Sequence, residues 1–268
     1  MRASDTRSFD PYRYGAYFCL SVPASGQAAA ADADVSALAD QLGLRNEYDS
    51  AGSDPPQSIA YLRRVSAVPG QVTDAGLLGA DAIVHVAAMA PGPISEFRAG
   101  LARLLGPVVT PRVLAGAVRP LSYTSQAMFN FAYGERVLQQ PAAATPNAFV
   151  LPVSKTDAWW RKDWMERHTY FLPRYDDDGT MQSQGHALAA AQGIACLLRR
   201  TYKSFTEPAP DGEFDYVSYF ECADADVPVF QEVCDALRDV KNNPEWEFVR
   251  EGPTWHGRRT ANWAGLFS

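Results

Sequence analysis

The sequence predicts an α+β fold in which two ferredoxin-like repeats pack sheet to sheet into a barrel. Three observations predict it. Strand and helix patterns succeed each other in the order strand, helix, strand, strand, helix, strand. The same order returns in the second half of the chain. Matching residues recur at a near-constant offset: Leu62-Arg63-Arg64 lies 136 positions before Leu198-Arg199-Arg200, Asp81 lies 134 before Asp215, and Phe97 lies 133 before Phe230. Such self-similarity is the mark of an internal duplication.

The elements follow from local periodicity. In the first half YFCLSV reads as a strand, VSALADQL as a helix, IAYLRRVSAV and DAIVHVAAM as strands, ISEFRAGLARLL as a helix and RVLAGAVRPLSY as the closing strand. The second half gives FVLPVS, a helix around HALAAAQ, then CLLRRTYKSF and FDYVSYFE, the helix VFQEVCDALRDV, and WEFVREGPTW. Connectors rich in Ala, Pro, Gly, Ser or Gln lie at 23–33, 45–57, 134–147 and 205–213. The third falls mid-chain and divides residues 1–140 from 141–268. Each unit is expected to be a four-stranded antiparallel sheet with helices on one face. The bare faces can then meet, while the helix-covered sides are free to open into pockets.

Composition narrows the function. A chain of 268 residues, 47% hydrophobic and 21% charged, is soluble and globular in character. A net charge of -7 argues against a nucleic-acid or anionic-membrane surface, though one local arginine can still capture a small anion. The polar amino terminus reads as no secretory signal, and no stretch has the length and apolarity to span a bilayer. Cys19, Cys196, Cys222 and Cys234 lack the paired spacing of a zinc site or redox motif, so reduced thiols in a cytoplasmic protein are expected.

The candidate chemistry lies in GHALAAAQGIACLLRRTYKS. Helical spacing puts His186, Ala189, Ala190 and Gly193 on one face. Either the small residues leave room for something flat beside an axial histidine ligand, or they let the helix pack closely on the sheet while His186 meets a carbonyl. Thirteen residues on, Arg199 shares a strand face with Leu197 and Thr201, and Arg200 shares the other with Leu198 and Tyr202. Only one arginine can face the helix, there to hold an anion or to form a surface ion pair. Residues 36–50, the counterpart of this stretch in the first half, contain no histidine, which assigns the chemistry to the second half.

FVLPVSKTDAWW, His186 with LLRRTYKS beyond it, FDYVSYFE and the ending EGPTWHG together resemble the chlorite dismutase family of haem proteins. DAIVHVAAM, the helix ending LLG and RPLSYTS extend the likeness over most of the chain. The resemblance implies a dimeric α+β barrel that binds haem b in its second half and assembles as a homo-oligomer, commonly a pentamer. It implies His186 as the iron ligand and Arg199 as the catalytic residue over the open face of the haem. Lys155, Trp159, Trp160 and Tyr123 are then expected to line the cofactor. The implied reaction converts chlorite to chloride and dioxygen, with a small anionic or small organic substrate as the only partner besides other copies of the chain.

Two departures accompany the resemblance. The family glutamate that hydrogen-bonds the proximal imidazole aligns with Asn242 in VKNN, and an amide there would leave the imidazole less basic; Asp239 and Glu245 lie close by, so a small shift of register would restore a carboxylate. Extra residues, HTYFLPRYDDDGTMQSQ in the main, separate Trp160 from His186. Both suit a second class, an aldoxime dehydratase-like lyase acting on an organic nitrogen–oxygen substrate, and a non-catalytic haem-binding barrel is the third reading. Asp176, Asp177, Asp178 and Gly179 lack the alternation of a calcium loop and read as a solvated turn. His85, His168 and His256 read as structural or exposed.

Overall fold

The computed structural model describes residues 14–51, 56–106, 108–118 and 137–268. Tyr123 lies outside the described residues. Eight strands form the barrel: β1 Tyr14–Leu20, β2 Gln57–Val68, β3 Ala82–Ala88, β4 Arg112–Val118, β5 Asn147–Lys155, β6 Leu198–Lys203, β7 Tyr216–Cys222 and β8 Thr254–Thr260. Four helices matter to its faces: α1 Val35–Gln41, α2 Pro91–Leu105, α3 Gly185–Ala189 and α4 Val227–Arg238.

The strand order around the barrel is β7-β6-β4-β1-β3-β2-β8-β5, and β5 returns to β7. Every one of these neighbours is antiparallel. The first repeat contributes β4-β1-β3-β2 and the second β8-β5-β7-β6, the same ferredoxin-like order twice. The predicted sheets therefore meet face to face and also join at their edges, β4 to β6 and β2 to β8. The matched pairs of the sequence occupy equivalent places, Leu62 and Leu198 on β2 and β6, Phe97 and Phe230 on α2 and α4.

Strand alternation sorts the core into three layers. Tyr17, Leu62, Ile83, Leu114, Leu198 and Trp255 point inward and fill the barrel. Phe18, Val84 and Val86 point outward in the first repeat against Phe97 and Leu101 of α2. Phe149 and Cys222 point outward in the second repeat against Phe230 and Val233 of α4. The small residues of HALAAAQG belong to this last layer. Ala189 is buried, and a Cβ at Gly193 would meet Leu197 and Val233. They bring α3 close to α4, so the room expected beside them is taken up by packing.

All four cysteines are free thiols. His85 is buried in the barrel, its ring stacked on Tyr17 at 4.6 Å, and burial pushes its imidazole down to about 3, which keeps it neutral. Asp176–Gly179 forms the tip of a small hairpin between Arg174–Tyr175 and Met181–Ser183, with Asp176 accepting from the Asp178 and Thr180 amides. Among the described residues no helix is long and apolar enough to cross a membrane.

Candidate functional site

The site is assembled where β5 ends. Lys155 is the last residue of β5, and Thr156 then donates its amide to the Phe248 carbonyl at 2.9 Å. The following turn of helix, Asp157–Trp160, buries Trp159 and half-buries Trp160. Lys155 is buried, with its Nζ 4.4 Å over the Trp159 ring. Trp159 packs in turn on Tyr170 and Phe248, and the Arg167 guanidinium lies 5.0 Å over Trp160.

His186, the second residue of α3, reaches the same place. The chain turns into α3 at Gly185, whose φ of 67° and contact with the Leu172 carbonyl leave no place for a Cβ. The amides of His186 and Ala187 donate to the carbonyls of Tyr170 and Phe171, so the inserted residues dock the start of α3. Phe171 stacks on the imidazole at 5.2 Å.

The carboxylate at the centre is Glu245. One of its oxygens lies 2.7 Å from His186 Nδ1, and the other accepts from Lys155 Nζ at 2.6 Å. Burial alone would push the Glu245 carboxyl up, but the Lys155 ammonium and then His186 hold it well below the usual carboxylate range. An ionised Glu245 accepts the Nδ1 proton, which leaves Nε2 as the nitrogen with a lone pair.

Asn242 is not the imidazole partner, which corrects the sequence alignment. The helix α4 ends at Arg238, Asp239 is extended, and Pro244 starts a 3-10 turn over Pro244–Phe248 that swings Glu245 back toward α3. The Asn242 side chain instead donates to Asp239, while its carbonyl accepts from the Gln184 and Gly185 amides. The inserted Tyr170 and Phe171 were not singled out by sequence. Proline after the helix and the aromatic pair in HTYF were the available signals.

Arg199 stands on the outward face of β6, half-buried, with register partner Phe220 on β7. Arg200 points inward, 3% exposed, and its Nη1 donates to both Glu47 oxygens at 2.9 and 3.0 Å. The structure thus brings His186, Lys155 and Trp159 together through Glu245, keeps Trp160 alongside, and sets Arg199 apart on the same outer side of the second repeat. Trp160 Nε1 and Thr156 Oγ1 are shielded from solvent and have no hydrogen-bond partner among the described residues.

No protein-family model matches the sequence, and no curated relative does either. Solved structures do match. An arginine-to-glutamate variant of chlorite dismutase from Candidatus Nitrospira defluvii superimposes with a TM-score of 0.63 at 19% identity, covering 95% of this chain and 93% of that one. This chain has a chlorite dismutase-like fold. A cyanide complex of a tryptophan-to-phenylalanine variant of the same protein gives a TM-score of 0.64 at 18% identity, over 95% and 92% of the two chains. Its imidazole complex gives 0.60 at 18%, over 95% and 93%. The chlorite dismutase-like architecture therefore runs through both repeats.

Proposed function

We propose that this protein is a haem b-dependent oxidoreductase acting on a small oxyanion, chlorite first among them, with His186 as the iron ligand. The observation that carries the reading is the chain from Lys155 through Glu245 to a part-exposed His186 imidazole. A neutral histidine backed by a carboxylate is a common axial attachment for haem. The residues present fit that group. Nδ1 is committed to Glu245, which directs Nε2 to the iron, and Trp160 Nε1 and Thr156 Oγ1 are shielded polar atoms available to a bound group.

Haem, when bound, supplies the oxygen-atom-transfer chemistry. The chain's own residues supply the rest. Glu245 accepts the hydrogen bond from Nδ1–H and orients the ring, and Lys155 keeps Glu245 ionised. Trp159, Tyr170 and Phe248 pack around this end of the site and limit water there. Arg199 offers a permanent charge and several donors to an incoming anion.

An aldoxime dehydratase-like lyase would have drawn support from an amide beside the imidazole, and Glu245 removes that support. The test is a visible spectrum of the protein titrated with haem, followed by chlorite in an oxygen electrode. A Soret band and oxygen release are expected. No Soret band overturns the haem reading, and a Soret band without oxygen but with dehydration of an aldoxime transfers the protein to the lyase class. The same reading carries assembly into a ring of identical chains, which light scattering checks; a single species of 29.3 kDa contradicts it.

A further inference from the structure

The two arginines of β6 pose a register problem that the strand itself does not solve. Leu197-Leu198-Arg199-Arg200 reads leucine then arginine on both faces, so a slip of one residue would exchange Arg199 for Arg200 and still bury a leucine. Tyr202, which occupies the niche left by Gly15, holds one end of the strand. The arginine end is held by something else.

Inside the barrel, a closed circuit of polar groups runs from Glu47 to Arg200, from Arg200 Nη2 to Gln139 at 3.1 Å, from Gln139 to Glu221 at 2.8 Å, and from Glu221 to Arg259 at 3.0 Å. Arg259 Nη2 closes it by donating to the Glu47 carbonyl. Tyr219 donates to Glu221 at 2.6 Å, and the Ser58 hydroxyl donates to Glu47 at 2.5 Å. Among the described residues the circuit holds two carboxyls and two guanidiniums, and burial pushes the Glu221 carboxyl up. Glu47, from the first repeat, is 1% exposed and fixed through its own amide, which donates to the Ile59 carbonyl at 2.9 Å. Its carboxylate receives Arg200 Nη1 at both oxygens while Nη2 is held by Gln139, so both ends of the guanidinium are fixed inside the barrel.

We propose that Glu47 is a positioning residue for the candidate site: by drawing Arg200 into the barrel, a residue of the first repeat decides that Arg199 is the arginine presented on the outer face of the second. The consequence for ligands rests on the reading of Arg199 as the anion-facing group; the hold on β6 does not. A buried guanidinium whose carboxylate is removed is costly, whereas removing both charges is often tolerated.

The experiment compares Glu47→Gln with the double variant Glu47→Leu/Arg200→Leu, using two readouts. In cofactor-free protein, amide hydrogen exchange over residues 198–203 is expected to rise about tenfold or more in Glu47→Gln and to return within about twofold of the parent in the double variant. In haem-titrated protein, azide affinity is expected to fall about tenfold in the single variant and to recover in the double one. A stability role alone predicts no recovery of azide affinity on deleting a second polar group. If Glu47→Gln does not fold, Ser58→Ala, which removes one bond to Glu47 and no charge, is read in the same way for a smaller rise. Unchanged exchange in the single variant, or a double variant as impaired as the single, overturns the proposal. Arg199→Ala separates the two readings: if it leaves azide affinity unchanged while exchange behaves as expected, the ligand reading fails and the hold on β6 stands. The exchange arm decides even where no Soret band forms.

Discussion

The outer face of the first repeat is filled, and that of the second carries a charged cluster. Over the first sheet, the fifteen-residue α2 buries Phe97, Leu101 and Leu105, α1 adds Val35 and Ala39, and Trp263 seals the layer by donating to the Ala30 carbonyl at 2.8 Å. An opening there, between α2 and β1 near Ile94 and Phe18, encloses about 130 Å³, below the range of cofactor sites. Over the second sheet α3 is five residues long, and the space beside it holds Lys155, Glu245 and His186 with their aromatic neighbours. The topology is the same. One copy of a duplicated unit gives its helix layer to packing, and the other, with a shorter helix and an inserted segment, can give its layer to chemistry.

His186→Ala should break this contrast most completely. It takes away the proposed iron ligand but little helix propensity, so stable haem binding should be lost in a protein that still folds by circular dichroism. An unchanged histidine-ligated spectrum would count against the assignment, and substitutions at His85, His168 or His256 should leave the spectrum nearly as it was. In the filled repeat, Phe97→Ala should cost about 3–5 kcal/mol in urea unfolding, because its cavity lies under a rigid layer, and should leave the spectrum of the folded fraction unaltered.

Acid should separate the repeats less sharply. Burial alone would raise the Glu47 carboxyl, but the Arg200 guanidinium and then the Ser58 hydroxyl bring it below its ordinary 4.5. A carboxyl depressed in the folded state contributes stability that is complete above the unfolded value and declines as pH falls below it. Glu245 has the same sign. The contribution of these two carboxyls should therefore hold from neutral pH to about 4.5 and then drop, Glu221, which burial pushes up, acting with the opposite sign, and Glu47→Gln should flatten the drop. A smaller effect is expected of Arg199→Ala, which should retain haem and weaken azide binding about tenfold. Equal affinities would remove Arg199 from the site. Val65→Thr, at an exposed position on β2, should shift stability by no more than about 0.5 kcal/mol.

The duplication and the strand order were legible because they rest on local periodicity and on repeated residues such as Leu62 and Leu198. His186 was singled out by its spacing to Arg199, and Lys155 and Trp159 by the resemblance alone; the structure sets Glu245 between His186 and Lys155, with Trp159 under the Lys155 ammonium. Glu245 was named only as a neighbour of the aligned Asn242, because the position of a side chain after a helix depends on how the chain leaves that helix. Pro244 is the local cause, and its effect is a three-residue change in which group meets the imidazole. The alanines after His186 were open to two readings, and only the position of α4 decides for packing. Glu47 could not be found at all from sequence, since its partner Arg200 is 153 residues away.

Each of the eight barrel strands has a hydrogen-bonded neighbour on both sides. Among the described residues the narrowest seam is the one between β4 and β6, which is paired only at Ala117–Lys203 and Val118–Tyr202, and a strand paired on both sides is a poor template for a further chain. Whatever company the protein keeps has to be made through helices and connecting segments on its outside, by shape and charge. The closure that joins the two repeats thus also works against fibril-like growth.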